Sequence, residues 1–286
     1  MRTPFHTRFL RHHLAGACLA LAASAGHTAN VVPPGTQADG SCQGQCGTSA
    51  LQGDLQASPL AHSQVGFVST AGAAVYGVSP LQLDSNSRGN GSENNGSAWR
   101  SGSFNANAGD QLNLQFNYFS TDGKGYDDYA WARLLNASDL SLVAWVFTAR
   151  SSNSGTKGIV PGDVVDKSAF NPKEVLVNYG DYDFHSKDAS DPVNWAVLGA
   201  SNQSCWSDNA NGCGYTGWLH SRHSFTAGGQ YVLEVGVVNW GDSAYDSALA
   251  FDFQGLTSAV PEPSTALTLW GGLASLAFLA RRRRTR

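Results

Sequence analysis

Lysine, glutamate and methionine are nearly absent from this 286-residue chain, at five, four and one residues. These are strong helix formers, and charged residues of all kinds reach only 14%, so a helical bundle or coiled coil is excluded as the main architecture. Glycine, at 32 residues, is plentiful together with serine, asparagine and aspartate, which suits strands joined by turn-rich loops. Two catalytic signatures are also missing. There is no Gly-x-Ser-x-Gly nucleophile elbow, and no glycine-rich phosphate loop follows a strand. His220 and His223 are three apart, which on a strand sends them to opposite faces and denies them a shared metal.

The two ends of the chain read as targeting segments. Arg2, Arg8 and Arg11 precede the apolar run 14–23, and Ala23-Ser24-Ala25 supplies a small-x-small cleavage pattern. Residues 1–25 are therefore expected to be a signal peptide, removed by signal peptidase, because the run is too short to span a bilayer. Cys18 raises a lipoprotein reading, but Ala15 fits poorly three places before it. At the other end, Val260-Pro261-Glu262-Pro263-Ser264 forms an extended break. The apolar stretch 265–280 follows, with Ser264 placed to cap it. Arg281, Arg282, Arg283, Arg284 and Arg286 then form a basic end expected to stay cytoplasmic. The spacing predicts one transmembrane helix, with the large domain outside the cytoplasm.

The Val260–Ser264 motif, the single apolar helix and the terminal arginines resemble the PEP-CTERM sorting signal. That family occurs in Gram-negative bacteria that make exopolysaccharide. The resemblance implies recognition by exosortase, a membrane protease-transpeptidase, and passage through the inner membrane to the cell surface or extracellular matrix. Exopolysaccharide is then a candidate partner. More loosely, the segments from Phe116 to Trp131 and from Val238 to Ser247 are similar to the β-sandwich ectodomains of such surface proteins.

Without its ends the chain is acidic. Residues 26–260 carry ten Lys or Arg against 21 Asp or Glu, a net charge of −11. That charge repels phosphate backbones, so nucleic-acid binding is not expected. Cys42, Cys46, Cys205 and Cys213 remain after processing. In an exported chain they read as disulfides, Cys42–Cys46 and Cys205–Cys213, each closing a short loop. A four-thiolate zinc site is the rival, and the spacings fit it poorly.

Residues 26–63 read as a poorly ordered lead-in, and residues 64–259 as one all-β ectodomain. Strands are expected at 64–68, 99–104, 111–120, 130–136, 142–148, 193–198, 218–225, 231–238 and the last run through Leu249, Phe251 and Phe253, with a short one at 174–178. The clearest is 111–120, where Leu112, Leu114, Phe116 and Tyr118 alternate with polar residues. It is expected to form a hairpin with 130–136, while 142–148, apolar on both faces, is expected to be central. Nine or ten strands without an amphipathic helix argue a single β-sandwich, jelly-roll-like.

Three constellations carry candidate chemistry. Asp122, Asp127 and Asp128 share one glycine-rich loop, and Asp242 and Asp246 another. If the loops converge, these are candidate calcium ligands; otherwise each serves its own turn. Asp181, Asp183 and His185 read as solvated loop. Trp206, Tyr215 and Trp218 flank the cysteine loop and are candidate sugar contacts, against the alternative that they cover the loop's underside. Glu234, outward on its strand, and Asp252 are the pair to weigh for glycoside hydrolysis. The reading preferred over both is a non-catalytic surface or matrix protein.

Overall fold

The computed structural model describes residues 40–74, 78, 93–122, 126, 128–151, 159–161, 185–206 and 213–257. The expected signal peptide, the sorting tail with its helix, Asp127 and the strand at 174–178 lie outside the described residues, as do Asp181 and Asp183.

Fourteen strands among the described residues build two antiparallel sheets facing each other, a β-sandwich. They are β1 (Ser41–Gln43), β2 (Gln45–Ala50), β3 (Gln64–Ser69), β4 (Glu93–Arg100), β5 (Phe104–Ala106), β6 (Gln111–Ser120) and β7 (Tyr129–Asn136). The remainder are β8 (Leu142–Ser151), β9 (Ile159–Pro161), β10 (His185–Ser186), β11 (Gly214–Tyr215), β12 (Leu219–Ser224), β13 (Gly229–Trp240) and β14 (Ser247–Thr257). The first sheet runs β1-β4-β13-β7-β8-β9, with β5 also on β13. The second runs β10-β11-β6-β14-β3-β2, with β12 also on β6.

Period-two alternation fills the space between the sheets. Leu112, Leu114, Phe116 and Tyr118 of β6 and Leu249, Phe251 and Phe253 of β14 meet Leu233, Val235 and Val237 of β13. Phe116 stacks on Phe147 at 4.7 Å, and Trp99 lies against Phe251 at 5.2 Å. His223 faces inward in register with Leu112, and His220 outward with Gln115, as their spacing requires.

Several expectations are corrected. The lead-in is not wholly unordered: within 40–63, β1 and β2 are strands of opposite sheets. The chain crosses between them at Gly44, whose φ of 85° favours glycine, and Cys42–Cys46 ties the two sides of the crossing. Gln45 N donates to Ser97 Oγ (2.7 Å), which donates to Ser69 O (2.6 Å), fixing the crossing to both sheets. β6 and β7 do not form a hairpin. The Asp-rich loop between them carries the chain from one sheet to the other, a choice alternation alone cannot reveal, since either pairing keeps the same faces inward. β8 is next to the edge strand β9 rather than central.

Residues 193–198 are not a strand. A 3-10 helix occupies Ala196–Ser201, and Val193, Trp195 and Leu198 pack on the outer face of the second sheet. With Leu55 they cover Val65, Phe119, Ala248 and Ala250, so this sheet has a third layer. Trp195 lies 4.7 Å from Phe119 and donates its Nε1–H to Ser49 Oγ at 3.1 Å.

Candidate functional site

Two polar clusters stand out. The first closes one end of the sandwich, where β6 ends, β7 begins and the β13–β14 turn passes. Asp128, fully buried, accepts from Trp240 N at 2.8 Å and from Ser247 Oγ at 2.8 Å. Ser247 Oγ also reaches Ser120 Oγ (3.0 Å), and Tyr118 OH donates to it at 3.3 Å. Ser120 Oγ in turn accepts from Asp122 N at 3.1 Å. Burial pushes the Asp128 carboxyl well above the ordinary carboxylate range; nearby Asp122 adds to this and the Trp240 and Ser247 bonds oppose it, with a further push from Asp242. Burial and the Asp128 charge likewise raise the Tyr118 phenol.

The loops thus bring Asp122 and Asp242 within electrostatic reach of Asp128. Asp246 has a different task, accepting from Thr70 Oγ1 (3.0 Å) and Ser201 Oγ (2.7 Å), which joins the turn to the third layer. Asp242 accepts from Ala244 N at 2.9 Å, an Asx turn. Among the described residues no group of three or more His, Cys, Asp or Glu side chains is disposed to hold a metal ion.

The sign of the Asp128 shift gives a test. An acid whose folded pKa is raised weakens folding as pH climbs above its ordinary value of 3.8. Asp128→Asn is therefore expected to melt higher than the parent at pH 7, with the gap closing toward pH 4. Thermal unfolding followed by circular dichroism reads it. A lower midpoint at pH 7 would mean that the bonds the carboxylate accepts from Trp240 N and Ser247 Oγ outweigh the cost of its burial.

The second cluster lies on the outer face of the first sheet. Register places Arg100 of β4, Glu234 of β13 and Arg133 of β7 side by side, and paired residues share a face. Glu234 is 2% exposed, and each of its oxygens accepts one Nε–H at 2.6 Å, Oε2 from Arg100 and Oε1 from Arg133. Trp131 Nε1 also points at Glu234 Oε1, at 3.4 Å. Burial alone would raise the Glu234 carboxyl, but the bonds and charges of Arg133 and Arg100 outweigh it and hold the group low. Arg133 lies over the Trp145 ring at 5.7 Å from its centroid. A bulge at Val146 lets both Trp145 and Thr148 face this side, in register with Arg133 and Trp131.

Both disulfides form as expected, Cys42–Cys46 and Cys205–Cys213. The three aromatic residues near the cysteine loop do not make a common platform. Tyr215 is stacked between Phe119 (5.0 Å) and His185 (4.4 Å), so both its faces are covered. Trp218 donates Nε1–H to Gln56 O at 2.9 Å and packs against the third layer. Trp206 meets Tyr126 edge-on at 5.1 Å. Glu234 and Asp252 lie on opposite outer faces of the sandwich, with both sheets between them, and cannot act on one bond. Asp252 is instead buried beneath the third layer, accepting from Ser58 Oγ and bonded to His62 Nδ1 at 2.7 Å.

The arginine partners of Glu234 were missed in the sequence. The available signal was composition: a lone glutamate on an apolar strand requires a countercharge, and arginines on strands are few in this chain.

No protein-family profile matches the chain, and no curated protein matches it in sequence. Among solved structures it is similar to the K3 cleaved adhesin domain of Lys-gingipain from Porphyromonas gingivalis, at 8% identity and a TM-score of 0.30, over 80% of this chain and 99% of that one. A likeness that slight carries neither chemistry nor partners across.

Proposed function

We propose that this chain is an exported surface or extracellular-matrix protein, sorted by exosortase through its C-terminal tail, whose jelly-roll-like β-sandwich is non-catalytic. The observation that carries the reading is the order Val260–Ser264, apolar stretch and terminal arginines, preceded at the other end by a signal-like segment. The two disulfides support it, since such bonds persist in oxidising compartments outside the cytoplasm. The separation of Glu234 from Asp252 removes the one hydrolytic pair weighed in the sequence, which has no shared face.

Intact mass and cell fractionation, with and without the exosortase, test this. The expected mature protein lacks residues 1–25 and a C-terminal piece of about the length of one membrane-spanning helix, roughly 20 residues or somewhat more. It is found in the matrix only when the exosortase is present. A full-length tail held in the inner membrane under both conditions would replace sorting by simple anchoring.

A further inference from the structure

Leu140 and Leu142 are the large apolar side chains left in solvent among the described residues, 42% and 45% exposed. They stand two apart at the tip of the β7–β8 hairpin, where Leu142 is in register with Leu135. Leu140 N donates to Asn136 O, Asn136 N to Ser141 O and Ser141 N to Asp139 Oδ1, each at 2.9 Å, which fixes the tip. Leu140 has a φ of 57°, a left-handed conformation that glycine or asparagine adopts at less cost. Leucine there is unfavourable both in its backbone and in its exposed side chain, which points to a contact made outside the domain.

The place of the tip in the fold says what that contact is. β7 ends at Asn136 beside the start of β13, and Ala137 N donates to Gln230 O. Ser224 at the end of β12 and Thr257 at the end of β14 are both in register with Gln111. The connection 225–229 passes from there to β13, so the hairpin tip and Thr257 share one end of the sandwich. From that end the chain departs toward the apolar stretch 265–280. The seven residues that lead from Thr257 to Ser264 reach at most about 25 Å.

This end is also poor in charge. In the connections 107–110, 137–141 and 225–229 the ionisable side chains are Asp110 and Asp139. Asp110 is buried and accepts from Asn107 N at 2.8 Å. Asp139 is exposed, and the bond from Ser141 N holds its carboxyl below the ordinary range. The loops that carry Asp122, Asp128, Asp242 and Asp246 lie at the opposite end, where Ser120 meets Ser247.

We infer that Leu140 and Leu142 dock on the bilayer surface while the C-terminal tail anchors the chain, their side chains at the boundary between headgroups and acyl chains. Two half-exposed leucines bind a membrane weakly by themselves, but the tail makes the contact intramolecular and raises its effective concentration. The Asp139 charge keeps the tip shallow, since a carboxylate is costly to bury in lipid. A second copy of the chain fits less well, because two leucines fall far short of the roughly 1,000 Å² that a specific interface buries. The inference rests on the tail reading proposed above and adds an orientation to it, with the acidic end turned away from the lipid.

The test uses the full chain, exported in a host without exosortase and reconstituted in phosphatidylcholine vesicles. Ser138→Cys at the tip, or Ser243→Cys at the opposite end, carries a fluorophore, and nitroxide-labelled lipid is the quencher. Both serines are exposed. Quenching at the Ser138 site is expected to exceed that at the Ser243 site several-fold. Leu140→Ser together with Leu142→Ser should lower it several-fold, and Leu142→Ser alone, with a smaller loss, serves if the double variant does not fold. Equal quenching at the two sites, or quenching unmoved in folded leucine variants, overturns the docking and leaves the anchor standing when the vesicles retain the chain. A chain that alkaline carbonate extracts from the vesicles overturns anchor and docking together.

Discussion

Gly236→Val is expected to destabilise the domain by about 3 kcal/mol, at the upper end of the cost of overpacking a filled site. Gly236 stands opposite Trp131 on the outer face of the first sheet, and a Cβ placed on it would fall on the Trp131 indole. Trp131 is fully buried and cannot swing aside. A glycine under an aromatic ring on the neighbouring strand lets the ring cover the backbone, and here it also brings the indole Nε1 to Glu234. Chemical denaturation gives the cost directly. The double variant Gly236→Val with Trp131→Leu should lose less than the two single changes summed, since the smaller residue opens the space. Full additivity, or a Gly236→Val protein as stable as the parent, would contradict the fixed ring position.

Glu234→Gln is expected to cost about 2 kcal/mol at neutral pH. Breaking a wholly buried ion pair costs about 3–5 kcal/mol, and here both arginines reach solvent, which lowers the figure. The pH dependence separates this from a loss of packing. Glu234 is held below its ordinary value of 4.5, so its contribution is complete above that value and lost as pH falls through the lower folded value. The gap between parent and variant should therefore be full at pH 7 and narrow below about pH 4.5. A gap that persists unchanged to pH 3 would mean the carboxylate's charge is not what stabilises. Asp128→Asn has the opposite sign, so the two variants calibrate one another.

The strand pattern was legible because alternation records one buried face. The run 111–120 and the inward sides of β13 and β14 follow from it directly. Pairing was less legible. Nothing in the alternation of β6 and β7 says whether they neighbour each other, and the loop that separates their sheets reads locally like a hairpin turn. The stretch Glu93–Ala98 was passed over because its polar residues face a covered environment, with Asn95 and Ser97 buried. Of the candidate sites, both cysteine pairs followed from spacing. The aspartates converged only in part, since Asp246 serves Thr70 and Ser201 on segments far off in sequence. The setting of Glu234 was illegible because its two partners come from strands that a sequence does not show to be adjacent.

The strand order has a consequence for how the chain acquires its shape. β13 carries β4, β5 and β7, and β14 joins β3 to β6, so the last two strands of the described chain link the parts of their sheets together. Neither sheet can be completed until residues 229–257 are available, and the contacts so formed are distant in sequence, which makes for slow folding. In the export proposed above, the leading two hundred residues would wait on the far side of the membrane before the sandwich can close. The Cys42–Cys46 link joins residues four apart. It can close during that interval, readying the turn that later bridges the two sheets.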